Sequence, residues 1–192
     1  MNVIAAKELR NISRLKEVPD DKPGWYRWWA PISALEKLLN SPYVTKEYMK
    51  ELCPSMQRRM FGHNEFFCVY VGVAIKESIR GRLNWHVNQH HTESAVQSGF
   101  LSTLRKTISS LVAGNQYDEN ATNYLIDSLV VEYCTIGSPI KSEMAKKEIK
   151  QIEQDEMTKY VFPLNIKGNR HAVLQSYLSD LKKARKLSSN QK

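Results

Sequence analysis

Short apolar runs separated by polar turns divide the chain, and the spacing inside each run predicts most of its elements. Residues 3–16 (VIAAKELRNISRLK) bring Ile4, Leu9, Ile12 and Leu15 to near-helical intervals, which predicts a short helix. Val18–Gly24 is dense in Pro, Asp and Gly and reads as a loop. Trp25–Trp29 follows as an aromatic run of high strand propensity, stopped by Pro31. Residues 32–60 read as helical. Ile32, Leu35, Leu38 and Leu39 recur at helical spacing, Ser41-Pro42 interrupts them, and Tyr48, Met49 and Leu52 resume the pattern. Phe66–Val73 (FFCVYVGV) is the strongest central strand of the chain.

Beyond it the helical period dominates. Lys76–Gln89 carries Ile79, Leu83 and Val87 four apart, and Phe100–Val112 aligns Leu101, Leu104, Ile108 and Leu111 before a capping Gly114. Leu129–Tyr133 (LVVEY) reads as a strand, and Ser142 or Glu143 opens a helix to about Lys159. Pro163-Leu-Asn165 is an extended segment. Ala172–Lys186 is amphipathic, with a basic tail in Lys182, Lys183, Arg185, Lys186 and Lys192. This order predicts a single domain over 1–192 of the α/β (α+β) class, with a small, mostly antiparallel central sheet flanked by helices.

Composition narrows the function classes. The 192 residues are 42% hydrophobic and 25% charged, which excludes a disordered or fibrous chain. Lys and Arg number 28 against 20 for Asp and Glu, a net charge of +8 that suits a polyanionic partner. No apolar run approaches the roughly 18 residues needed to span a bilayer, so no membrane association is expected. Met1–Lys16 lacks the apolar block and cleavage site of a secretory signal. Cys53, Cys68 and Cys134 are widely spaced and form no CxxC pair, which points to small core residues in a reducing cytoplasm.

Three sets of residues carry candidate chemistry. Gly24-Trp25-Tyr26 and Tyr70-Val71-Gly72 place a glycine and a phenol at the ends of the two aromatic strands. Arg82 and His86, four apart on one helical face, join a phosphate-clamping guanidinium to an imidazole able to hold a proton. On the Ala145–Met157 helix, Glu148, Glu153 and Glu156 lie on or beside the apolar face, where a carboxylate needs a cation, either a lysine or a divalent metal. Periodicity does not choose among the three. His-Val-Asn-Gln-His (86–90) lacks the Glu of a zincin motif.

In this order and spacing, from about Pro23 to Asn169, the motifs resemble the GIY-YIG nuclease superfamily. The resemblance implies hydrolysis of DNA phosphodiester bonds by a restriction-like endonuclease with one Mg²⁺ or Mn²⁺ ion. Its site would comprise Tyr26, Tyr70, Arg82, His86, Glu153 and Asn165. Glu153 is selected as metal ligand because it precedes Asn165 by 12 positions, with Glu156 as the fallback. Tyr26 would orient or deprotonate the attacking water, its phenolate favoured by Arg82, the metal and Lys76, and Asn165 would brace the site. Phosphate contacts would come from Lys50, Arg58, Arg59, Lys76, Arg105, Lys106 and the Lys-rich C-terminus, and cutting both strands would favour a homodimer. A catalytically silent nucleic-acid binder, or a structure-selective repair or RNA nuclease, is the alternative. Two departures stand out. The signature tyrosines lie 44 positions apart (26 to 70), so a helical insertion over 31–63 must be looped out, and Trp25 and Val71 replace the usual Ile.

Overall fold

The computed structural model describes residues 1–190, so Lys192 lies outside the described residues. Five strands, β1 (Asn2–Ala5), β2 (Gly24–Pro31), β3 (Arg58–Phe61), β4 (Asn64–Ala74) and β5 (Val130–Thr135), pair antiparallel in the order β1-β5-β2-β4-β3. The sheet is small, antiparallel and flanked by helices, as the sequence pattern implies. The two aromatic runs are neighbours: Tyr26 sits opposite Gly72 and Trp28 opposite Tyr70.

Alternate residues of β2 serve opposite faces of the sheet. Tyr26 and Trp28 are buried in the main core, with leucines from α2 (Ile32–Leu39), Leu83 and Val87 of α4 (Ile79–Asn88), and apolar side chains of α6 (Thr103–Val112) and α9 (Gln175–Ser188). Trp25 packs on the other face against Ala145 and Ile149 of α8 (Glu143–Lys159). The pairing slips between Trp28 and Trp29: Trp29 lies opposite Cys68, leaving Val69 as an extra residue in β4. This bulge lets both Val69 and Tyr70 enter the main core.

Beyond Phe67, where β3 ends, the outer edge of β4 is met by the segment after α8. Leu164 N–H donates to the Val69 carbonyl at 2.9 Å. The Asn165 amide then clasps one peptide position: Val71 N–H donates to Asn165 Oδ1 (2.9 Å) and Asn165 Nδ2 donates to the Val71 carbonyl (2.8 Å). Side-chain caps start the helices that carry the site. Ser78 accepts from Gly81 N–H and Ser142 from Ala145 N–H, each cap contributing about 1 kcal/mol.

Several sequence expectations change. Residues 2–5 form β1 because they pair with β5; Ala6–Arg10 follow as a 3₁₀ turn, and α-helix is confined to α1 (Ile12–Lys16). Arg58–Met60, read as helical, belong with Phe61 to β3, the partner of Asn64–Phe67 across a two-residue turn at Gly62-His63, where Gly62 takes φ 62°. Helices α5 (Glu93–Gln97) and α7 (Glu119–Asp127) were not expected, the latter capped by Asp118. The connection between the signature strands is not looped out. Leu35, Leu38 and Leu39 of α2 are fully buried in the core shared with Tyr26, α3 (Met49–Leu52) adds Leu52, and β3 extends the sheet.

Candidate active site

Tyr26 lies fully buried at the meeting of β2 and α4. Its phenol oxygen is 2.7 Å from His86 Nε2 and accepts a hydrogen bond from Arg82 Nε at 3.3 Å. Gly72, directly across the ladder, makes this possible: a Cβ there would collide with the Tyr26 phenol. Gly24 is needed for close pairing, since its Cβ would meet the Cys134 carbonyl of β5. The Tyr70 ring stacks on Tyr26 at 6.3 Å and meets His86 edge-on at 6.0 Å. Arg82 spreads over the Trp85 ring at 4.5 Å and donates to Glu77 at 3.2 Å.

Burial sets the protonation of this cluster. Desolvation, reinforced by Tyr70, pushes the Tyr26 phenol well above its ordinary range; Arg82 opposes this and is outweighed. Tyr70 is pushed up to about 12, again by burial first. Burial, with the charges of Arg82 and Arg105 added, holds His86 well below the usual imidazole range. The resting pair is therefore a neutral phenol hydrogen-bonded to a neutral imidazole, rather than the phenolate expected from neighbouring cations. His86 Nδ1 has no partner among the described residues.

A cleft of about 1010 Å³ opens beside this cluster, with Tyr70, Glu153 and Asn165 in its wall. Tyr70 is the signature phenol in that wall; Tyr26 is not part of the lining. Glu153 is half-buried and makes no hydrogen bond or ion pair among the described residues. Burial raises its carboxyl above the usual glutamate range, against the pull of Lys150 and Arg82. Glu156 is already neutralised by Arg27 Nη2 at 2.6 Å, and Glu148 is exposed. No cluster of three or more His, Cys, Asp or Glu side chains stands ready for a metal among the described residues. A lone, uncompensated carboxylate facing a wet cleft suits a hard divalent ion that keeps most of its waters, so the donor set fits one such ion at Glu153.

The profile of the GIY-YIG catalytic domain matches residues 24–187, most of the chain. The chain belongs to the GIY-YIG family. This GIY-YIG domain thus includes the C-terminal helix α9, beyond the Asn169 limit read from the motifs alone. Comparisons with curated proteins and with solved structures gave no significant match. GIY-YIG domains are catalytic modules of endonucleases, their substrates are nucleic acids, and they generally use divalent metal ions. No helix among the described residues is long and apolar enough to cross a membrane.

The GIY-YIG signature residues thus meet: Tyr26, Tyr70, Arg82 and His86 form one contact group, Glu153 and Asn165 share the cleft wall with Tyr70, and Asn165 spends its amide on Val71. The expected phosphate contacts scatter. Lys106 lines the cleft, Lys50 and Lys76 are exposed away from its lining, and Arg58 and Arg59 project from β3. Arg59 is tied to the buried Glu132, and Arg58 lies 3.8 Å from Glu65.

Arg105 is a correction. It is fully buried and donates to the His86 (3.2 Å) and Val87 (2.9 Å) carbonyls, His91 Nε2 (2.8 Å) and Asn123 Oδ1 (2.7 Å). Its guanidinium satisfies orphan carbonyls at the C-terminal end of α4 and cannot reach a phosphate. Arg185, expected only as part of the basic C-terminal tail, lines the cleft wall together with Arg170, which the sequence did not single out. Arg185 follows the apolar stripe of α9 by one position after Ala184, a rim placement that the helical period does reveal.

Proposed function

We propose that this GIY-YIG domain is a metal-dependent endonuclease that hydrolyses phosphodiester bonds in DNA. The observation that carries the reading is the meeting of two phenols, a guanidinium and an imidazole beside a cleft that holds an unpaired carboxylate. Glu153, with water, would hold one Mg²⁺ or Mn²⁺, which supplies Lewis-acid stabilisation of the phosphate and of the leaving oxygen.

Arg82 neutralises charge that builds on the phosphoryl oxygens. Tyr26 handles the proton of the attacking water. Its oxygen accepts from Arg82 and shares a hydrogen bond with His86 Nε2, so the proton of a water admitted beside Tyr70 would be passed to this pair. As that proton arrives, the phenol's own proton passes to His86 Nε2, so no free phenolate is needed in the resting site. Tyr70 presents the neighbouring phenol to the cleft, and Asn165 keeps Val71, between the two signature residues of β4, in place. Lys106, with Lys50, Lys76, Arg58 and Arg59 further out, would contact substrate phosphates, a role that Arg105 cannot take. Cutting both strands calls for two sites, so the reading includes a homodimer, and the three free thiols suit a reducing cytoplasm.

The test is incubation of supercoiled plasmid, and of an RNA and a flap substrate, with the purified protein in Mg²⁺, in Mn²⁺ and in EDTA. Nicking or linearisation with metal and none in EDTA is expected. Retarded plasmid without cleavage under every metal would replace the enzyme with a silent binder. Cleavage confined to RNA or flaps would redirect the substrate.

A further inference from the structure

A second groove, of about 390 Å³, adjoins the cleft and shares two residues with its wall, Lys106 of α6 and Arg185 of α9. Lys182 and Lys186 line this groove. On α9 they fall three before and one after Arg185, so the three cations occupy one helical face, with about 6 Å of rise from Lys182 to Lys186. Among the described residues the groove lining contains no Asp or Glu, and the cleft lining contains only Glu153. A cationic line therefore leads out of the candidate active site.

The shared pair is electrostatically uncompensated. Neither Lys106 nor Arg185 forms an ion pair among the described residues, and both are half-buried. Burial lowers the pKa of each, and Arg185 lowers that of Lys106 further. Like charges held together and partly withdrawn from water are costly without an anion. The Lys106 ammonium donates to the Gly99 carbonyl, which fixes it at the junction of cleft and groove. The groove lining has no aromatic side chain on which a base could stack, so the surface suits backbone phosphates rather than bases.

We infer that Lys106 and Arg185 hold a backbone phosphate beside the one being cut, and that the same strand continues along α9 over Lys182 and Lys186. The track rests on the nuclease reading for the identity of its polyanion. It gives α9 a sequence-independent grip on one side of the cut.

The test is the salt dependence of binding to a fluorescein-labelled 20-base-pair DNA duplex, read by anisotropy in EDTA. Wild type is compared with Lys182→Gln/Lys186→Gln and with Lys7→Gln/Lys16→Gln, two exposed lysines outside both cavities. Each lost phosphate contact lowers the slope of log affinity against log salt by about 0.9, so the groove pair is expected to lose about 1.8 and the control pair nothing. An unchanged slope in the groove pair, or an equal loss in both pairs, overturns the track; so does a wild-type protein that binds no duplex. Failure of the nuclease reading looks different. A protein that shows the slope change yet nicks nothing in Mg²⁺ or Mn²⁺ keeps the track and loses the chemistry.

Discussion

Glu153 and Glu156 stand one turn apart on α8 and meet opposite fates. Glu156 is neutralised by Arg27 (2.6 Å), which also holds the fully buried Glu132 (3.2 Å), itself paired with Arg59. The Arg27 guanidinium further covers the Trp25 ring at 4.7 Å. Glu153 has no such partner and faces the cleft. Both carboxylates are half-buried and share a helix, so the surroundings separate them. Around Arg27 the chain answers its own charges and locks α8 to the sheet; around Glu153 it leaves a charge for something else to answer.

The comparison breaks most visibly at Glu153→Gln. Cleavage should vanish while the fold persists, and the melting temperature at neutral pH should rise. The sign follows from the raised pKa. A carboxyl that resists ionisation when folded contributes most below the ordinary glutamate pKa and loses that contribution as pH rises through its folded value. Glutamine removes this neutral-pH penalty, and the gain should shrink in acid. Full activity of the variant in Mg²⁺ would remove Glu153 from the site.

Next in size, Tyr26→Phe should lower the turnover rate by about 10²–10⁴-fold, the usual range for a positioned proton-transfer group. Gly72→Ala should do comparable damage by pushing the phenol off His86 and Arg82. Rates measured at saturating DNA would show both, and a near-normal Gly72→Ala enzyme would break the geometric argument.

On the structural side, Arg27→Met should cost about 3–5 kcal/mol in denaturant unfolding, because it strands Glu156 and weakens the neutralisation of Glu132. For a domain of this size that is a fall of roughly 6–20 °C in Tm. Asn165→Ala leaves both Val71 backbone groups unpaired and should cost a comparable amount, about 1–3 kcal/mol for each group. The smallest effect is in the pH profile. The acid limb of kcat/KM should lie above the ordinary glutamate range, from Glu153, with no inflection near the ordinary histidine value because His86 stays neutral. An inflection there would mean that His86 ionises in the resting enzyme despite its burial.

Much of this was legible because burial and period agree. β2 and β4 announce themselves as unbroken apolar and aromatic runs, α4, α6, α8 and α9 write their faces into the spacing of apolar residues, and the tyrosine, arginine and histidine positions ride on β2, β4 and α4. The edges were not legible. β1 owes its form to pairing with β5, and β3 (Arg-Arg-Met-Phe) is mostly exposed and shows no alternation, although the Gly62-His63 turn beside a strong strand was a usable signal. Asp118, followed by Ala121, Thr122, Leu125 and Ile126, likewise announces α7 by cap and period. The protonation of Tyr26 and the fate of Arg105 were out of reach, because both depend on how deeply a side chain sinks, which spacing does not encode.

The extra residue at Val69 has a consequence for how the domain tolerates change in length. It leaves the two ends of β4 half a pleat out of phase, one end set by the hairpin with β3 and the other by the phenol beside Gly72. Deleting Val69 would restore a regular strand and turn one of those ends inside out.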